Sequence, residues 1–232
     1  IKRGASVLLF LYIIFKGYTM PTKSGKTANE MYFTANPNSE HHYQNFEFEL
    51  LNHKLHFTTD SGVFSKSTVD FGTRTMLEAL ETVIINDGKI LDLGTGYGPV
   101  GIAIAKAMSR QVDMVDVNER ALELAQQNAQ KNGVTQLTRI FQSNIYDKIT
   151  DKYALILTNP PIRAGKAVVT VMLQDAIKHL QPGGKLIAVL QKKQGAPSAQ
   201  KNMMTIFGNA RIIAKNKGYY ILESTYDSNT NI

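Results

Sequence analysis

A chain of 232 residues with 43% apolar residues is long enough for one large domain or two small ones and can bury a substantial core. It has no cysteine, which excludes disulfides, thiolate metal sites and a cysteine nucleophile, and its five histidines (His41, His42, His53, His56, His179) show no HExxH spacing, so no metal site is expected. The net charge of +7 is uneven: residues 31–158 hold 11 basic and 15 acidic groups, whereas residues 159–217 hold ten basic groups and one acid, Asp175, which points to a polyanion near the later segment.

In chain order, Lys2 and Arg3 precede an apolar run, Ala5 to Phe15, too short to span a bilayer as a helix. The run resembles the front of a signal peptide, but no small-x-small cleavage site follows it. Residues 1–30 are read as a leader or a mis-assigned start outside the fold, with Met20 and Met31 as candidate starts, and the domain is expected over residues 31–228. Asn45–Leu51 and Lys54–Thr58 alternate apolar and polar residues around Asn52-His53, which predicts a β-hairpin. The hairpin belongs to an N-terminal covering segment, residues 31–72, ahead of the main sheet at 73–228. A helix is predicted over Thr73–Ile84, with Met76, Leu77, Leu80 and Ile84 on one stripe.

From Lys89 onward strands and helices alternate. The predicted strands are Lys89–Leu93, Gln111–Val117, Thr138–Gln142, Tyr153–Thr158 and Lys185–Leu190, followed by Ala210–Ala214 and Tyr219–Ser224 joined at Asn216-Lys217-Gly218. The predicted helices open at Pro99, run over Glu119–Asn132 with Asn118 as cap and Gly133 as stop, over Ala167–His179, and over Ala199–Phe207. Gln191-Lys192-Lys193-Gln194-Gly195-Ala196-Pro197 reads as a mobile loop. The alternation implies a doubly wound, mostly parallel sheet, and the short final turn makes the last pair antiparallel.

Two signals sit at the carboxyl ends of the first two sheet strands, where ligands bind in open α/β sheets. One is Asp92-Leu93-Gly94-Thr95-Gly96-Tyr97-Gly98, whose glycines let the backbone turn and approach a ligand; the other is Asp116, which can accept from both hydroxyls of a ribose. Gly96-Tyr97-Gly98-Pro99-Val100-Gly101 also matches the dinucleotide fingerprint, so a nicotinamide enzyme competes at this point. Asp92 weighs against it, because a carboxylate beside the loop repels a pyrophosphate but attracts the ammonium of a methionine moiety; its plainer role is to fix the loop by hydrogen bonds.

Strand Tyr153–Thr158 runs directly into Asn159-Pro160-Pro161-Ile162. The prolines fix the backbone and remove two donors, leaving acceptors: the Asn159 side-chain oxygen and the Pro160 carbonyl. An amino nitrogen conjugated to a ring is a poor nucleophile. Two acceptors on its N–H groups hold it in place and favour the positive charge that develops when a methyl group arrives. Transfer from a sulfonium needs in-line alignment rather than a metal or strong base.

Asp92-Leu93-Gly94-Thr95-Gly96, Asp116 and Asn159-Pro160-Pro161 together resemble the class I S-adenosylmethionine-dependent methyltransferases that act on amino nitrogens. Gly62-Val63-Phe64-Ser65-Lys66 and Asp70-Phe71-Gly72-Thr73 resemble the segment preceding the cofactor domain in the small-domain methyltransferases, a family that includes the 16S ribosomal RNA guanine-N2 methyltransferase C group. Asn159-Pro160-Pro161-Ile162-Arg163-Ala164-Gly165-Lys166 is similar to its single-domain bacterial members, and the resemblance covers Met31 to Ser224. It implies a Rossmann-like seven-stranded sheet and S-adenosylmethionine bound by Asp92, Gly94, Thr95, Gly96, Asp116, Val117, Asn144 and Ile145. Asn159, Pro160 and Pro161 would be catalytic, and Phe64 and Asp70 would close over substrate or cofactor. The implied partner is ribosomal RNA or the small ribosomal subunit, met in the cytoplasm by a monomer or homodimer.

Ile162 departs from the family pattern, in which an aromatic residue often follows the prolines and stacks on the base, a contact worth roughly 1–3 kcal/mol. A base in a duplex must be unpaired or flipped to be reached. Arg163, Lys166, Lys192, Lys193 and Lys201 are the candidate RNA contacts. Three rival readings stand beside this one: a protein glutamine-amide methyltransferase, a nicotinamide-dependent oxidoreductase and a non-catalytic RNA-binding protein.

Overall fold

The computed structural model describes residues 40–61, 63 and 68–228. The expected leader at residues 1–30 and the expected substrate-covering Phe64 lie outside the described residues. β1 (Gln44–Leu50) and β2 (His53–Thr59) form the antiparallel hairpin. Leu50 pairs with His53, so the turn is Leu51-Asn52, one residue earlier than predicted, and both turn residues have positive φ (48° and 61°). Two positive φ angles match the twist of the flanking strands; Asn52 tolerates them, and Leu51 bears the strain.

The first helix, α1 (Phe71–Ala79), is shorter than predicted. It begins two residues earlier because the Asp70 side chain accepts from Thr73 N (3.1 Å) and caps it. It ends in a 3-10 turn, Leu80–Thr82, after which Val83 is extended. Met76, Leu77 and Leu80 are buried as expected, but Ile84 falls beyond the helix and is 85% exposed.

The main sheet is built from β3 (Ile90–Leu93), β4 (Val112–Asp116), β5 (Thr138–Gln142), β6 (Tyr153–Thr158), β7 (Leu180–Gln191), β8 (Arg211–Asn216) and β9 (Tyr219–Thr225). Their order is β5-β4-β3-β6-β7-β9-β8, with β9 antiparallel to both neighbours and the other pairings parallel. The order reverses at β3, so the carboxyl ends of β3, β4 and β6 flank the switch point where an open α/β sheet binds its ligand. The helices that follow these strands are α2 (Pro99–Met108), α3 (Glu119–Lys131), α4 (Lys166–Gln174) and α5 (Ala196–Phe207).

β7 is twice as long as predicted because Gln181-Pro182-Gly183-Gly184 stays within it. The pairing with β6 slips there, from Tyr153–Leu180 to Leu155–Lys185, and absorbs the extra residues as a bulge. The bulge is tied to the end of β9: Gly183 N donates to Tyr226 O and Tyr226 N to Gly184 O, both at 2.8 Å. The predicted loop at 191–197 is also ordered. Lys192–Gln194 form a 3-10 turn, and α5 starts at Ala196, three residues earlier than expected, behind Gly195 at φ 106°. The predicted helix Ala167–His179 is α4 followed by a 3-10 turn, Asp175–His179.

Alternate residues of the buried strands feed two cores. Ile90, Met114, Leu155, Leu157 and Ile187 face β2, α1, α2 and α3; Leu91, Leu93, Val115, Ile156 and Leu186 face α4 and α5. Each fully buried aliphatic side chain contributes about 1.5–3 kcal/mol. The same alternation puts Asp92 on the face of Ile90, beneath the first turn of α2, which explains how a carboxylate comes to lie inside the fold. The hairpin is held to that face by α3: Asn128 Oδ1 accepts from Thr58 N (2.7 Å) and its Nδ2 donates to Thr58 O (2.9 Å), while Asn132 does the same with His56 N (2.9 Å) and His56 O (2.8 Å).

Candidate active site

β3 delivers the chain into the glycine loop. Gly94, Gly96 and Gly98 all have positive φ (79°, 57° and 94°), and Gly94 N and Thr95 N both donate to Val115 O at 2.9 Å, which folds the loop back over β4. A side chain at Gly96 would meet no protein atom within 4 Å, so the loop presents bare backbone to open space.

Asp92 holds the loop from beneath. One of its oxygens accepts from Thr95 Oγ1 (2.5 Å) and from Gly101 N in α2 (2.9 Å). Burial pushes its pKa up to about 6, against those two hydrogen bonds, and the nearby Asp116 carboxylate adds to the rise. The loop-fixing role is therefore present in the geometry, and Asp92 also borders the cavity at this edge of the sheet. Asp116 ends β4 and holds two backbone donors, Gly96 N and Asn118 N, each at 2.9 Å. Burial raises its pKa as well, opposed by these bonds.

A third wall follows β5. Ser143 Oγ donates to Ile145 O (3.0 Å) and accepts from Lys148 N (3.2 Å), a clasp that keeps Ile145 at φ 52°. A β-branched residue rarely adopts that conformation, whose strain is of order 1–3 kcal/mol.

The fourth wall begins where β6 ends. Asn159 Nδ2 donates to Asp70 Oδ2 and to Thr73 Oγ1, both at 3.1 Å. Both amide hydrogens are thereby used, and Asn159 Oδ1 has no partner among the described residues.

The four walls enclose one cavity of about 290 Å³. It gathers Asp92, Gly94, Thr95, Gly96, Asp116, Val117, Asn144, Ile145, Asn159 and Pro161. Pro160 is buried between two lining residues without lining the cavity itself, and Asp70 stands behind Asn159. Ile162 is half-buried against the α4–α5 core, outside the lining. Thr73, Ala164, Val168 and Met172 also line the cavity and were not singled out from sequence. Thr73 lies inside the Asp70–Thr73 motif and was within reach; the other three are ordinary apolar residues whose inward position depends on how α4 packs.

The expected RNA contacts lie outside this cavity. Arg163, Lys166, Lys192, Lys193 and Lys201 are all exposed, and none forms an ion pair among the described residues. Not all of the basic segment is available: Lys185 and Arg211 pair with Glu223, and Lys178 pairs with Asp175. Lys192 N donates to Gly218 O (2.8 Å), which brings the β8–β9 turn beside it, and Lys217 in that turn lies 5.1 Å from the Phe71 ring centre. Lys217 thus joins the rim next to the helix that carries Asp70.

Comparison with known proteins gives the fold and cavity a family. Residues 54–223 match the family described as methyltransferase small domain. The chain belongs to this family. As a methyltransferase of this kind it uses S-adenosylmethionine as its cofactor. It is 43% identical over 199 residues to a Bacillus subtilis protein, the uncharacterised YbxB, covering 84% of this chain and 98% of that one. It is 29% identical over 178 residues to the ribosomal RNA small subunit methyltransferase C of Serratia proteamaculans, covering 75% of this chain and 49% of that protein. The methyltransferase spans about half the length of such ribosomal RNA relatives. Among solved structures it resembles the T. thermophilus 16S rRNA N2 G1207 methyltransferase (RsmC) in complex with AdoMet and guanosine, with a TM-score of 0.72 and 24% identity over 79% of this chain and 50% of that one. No group of three or more His, Cys, Asp or Glu side chains that could hold a metal, and no helix long and apolar enough to cross a membrane, occurs among the described residues.

Proposed function

We propose that the chain methylates an exocyclic amino nitrogen, guanine N2 in small-subunit ribosomal RNA, and does so in the cytoplasm. The observation that carries this reading is the Asn159 amide: its two hydrogens are taken by protein, and its oxygen is left on the wall of the same cavity as the glycine loop.

The residues present fit S-adenosylmethionine. The bare backbone at Gly94 and Gly96 suits its methionine part, and Asp92 its ammonium. Asp116 suits the ribose hydroxyls, and Val117, Asn144 and Ile145 the adenine. Bound there, the cofactor supplies an electrophilic methyl carbon on a sulfonium. The protein's task is to present the nucleophile. Asn159 Oδ1 accepts one N–H of the target amine, which aligns the nitrogen and stabilises the charge it gains; the Pro160 carbonyl, carried by a residue outside the cavity lining, takes the other only as the substrate seats against Asn159. Pro161 and Ala164 exclude water beside them. The proton released after transfer goes to solvent, since the amine becomes strongly acidic once methylated and needs no strong base.

The unpaired basic rim favours RNA over protein. Arg163 and Lys166 follow the reactive motif directly, and Lys192 and Lys193 follow β7, the neighbour of β6 in the sheet. Ile162 leaves the base without the usual stacking partner on this motif, so apolar contact is expected to replace it.

The test is transfer of labelled methyl from S-adenosylmethionine to small ribosomal subunits and naked 16S RNA from cells lacking this gene, with RNA-free protein in parallel. Label in N2-methylguanosine is expected. Label confined to protein glutamine would overturn the substrate in favour of the amide reading.

A further inference from the structure

We propose that Asp70 and Thr73 are positioning residues for methyl transfer: they fix which end of the Asn159 amide faces the cavity. The inference rests on the reading of Asn159 as the acceptor of the target amine.

The two ends of an asparagine amide are nearly equal in size and opposite in hydrogen-bonding sense. A half-turn about the last side-chain bond exchanges them. With the oxygen toward the cavity, Asn159 accepts from the substrate NH2. With the nitrogen toward it, donor meets donor and the amine is repelled. Nothing in the covalent structure of Asn-Pro-Pro selects the productive end, so the selection must come from what lies behind it.

Behind it lie two acceptors from a distant part of the chain. Asp70 Oδ2 and Thr73 Oγ1 each take an Asn159 N–H at 3.1 Å, across 89 and 86 residues of sequence. An ionised carboxylate is acceptor-only, so the flipped amide would set its oxygen against a negative oxygen. Asp70 is itself confined. The same oxygen accepts from Thr73 N (3.1 Å) at the start of α1, where the helix dipole favours negative charge. At Gly72 an added Cβ would lie 2.9 Å from that oxygen and 2.8 Å from Tyr219 Cε1, so the backbone closes tightly around it. Thr73 is buried, which shields its bond from water. The segment preceding the sheet thus reaches the chemistry through one amide.

Asp70→Ser and Thr73→Val separate this role from a structural one. Serine keeps the helix cap but is too short to reach Asn159; valine keeps the shape of threonine without its oxygen. Each is expected to lower kcat on the order of 10- to 100-fold, with cofactor Kd and unfolding midpoint near wild type. The decisive variant is Asn159→Asp. A carboxylate has two equivalent acceptors and needs no orienting, so this change should restore kcat at least tenfold in the Asp70→Ser background. In the wild-type background, beside the Asp70 carboxylate, the same change should be harmful. If Asp70→Ser/Asn159→Asp is no more active than Asp70→Ser, or if Asp70→Ser and Thr73→Val turn over normally while Asn159→Ala is inactive, the orientation role is wrong and the acceptor role survives. Normal turnover by Asn159→Ala sinks both.

Discussion

At the scale of single residues, the buried Asp92 and the half-buried Asp116 border one cavity, and the charge of Asp92 has consequences for stability. Asp92 has a pKa of about 6 in the fold, against 3.8 when unperturbed. Below pH 4 it is protonated in both folded and unfolded chains and costs nothing. As pH rises from 4 to 6 the unfolded chain releases this proton while the fold still holds it, so stability falls, by about 3 kcal/mol in all. Above 6 the loss is complete and constant. Asn in place of Asp can keep both hydrogen bonds without the charge. Asp92→Asn should therefore gain stability relative to wild type between pH 4.5 and pH 7 in urea unfolding, and a difference independent of pH would contradict the account. These residues were legible because their signal is local: Asp92 lies two places before a glycine, Asp116 ends a strand, and Asn159 precedes two prolines. Met172 and Val168 were not legible, because an apolar residue on an amphipathic helix shows which face is buried but not which cavity that face borders.

At the scale of elements, the hairpin is fastened by a device the sequence does not advertise. Asn128 on α3 and Asn132, the residue that caps its end one turn later, each offer an amide to both the N–H and the C=O of a β2 residue, Thr58 and His56. Those residues are two apart, so their backbone groups point the same way, and the helix stands in for a neighbouring strand. Asn128 is fully buried and also donates to Tyr97 O (2.9 Å) beside the glycine loop, linking hairpin to cavity. Asn128→Leu should leave Thr58 N–H unpaired and cost about 1–3 kcal/mol. Faster hydrogen exchange at Thr58 and a lower urea midpoint are expected; unchanged protection at Thr58 would refute the fastening role. On a helical wheel the two asparagines read as polar residues at i and i+4, and only tertiary packing shows that they face inward. Strand identities were readable because β6 and the Leu186–Leu190 part of β7 are nearly continuous apolar runs and β3 is apolar but for Asp92, as suits strands buried on both faces. Ends were less so: Pro182-Gly183-Gly184 has the composition of a breaker, yet a slipped register and the end of β9 accommodate it inside β7.

At the scale of the whole molecule, the sheet does the assembling. Loops after β3, β4, β5 and β6 meet at one edge because parallel strands deliver their carboxyl ends to the same side, and the reversal of order at β3 opens the gap between them. The doubly wound, mostly parallel sheet and its antiparallel final strand followed from the alternation of elements and the brevity of the last turn, whereas the strand order did not. The split of charge along the sequence was a coarser guide. Glu223 neutralises two of the basic groups internally, and Lys217 reaches the rim only through the β8–β9 turn. The proposed methyl transfer depends on Asn159 as acceptor of the target amine, and one measurement reaches that role most directly. Single-turnover methyl transfer by Asn159→Ala should be compared with wild type at saturating cofactor, with cofactor affinity measured on the same samples. Transfer should fall by at least about 100-fold with affinity within a few-fold of wild type. Transfer at the wild-type rate, or a fall matched by equal loss of cofactor affinity, would contradict the account.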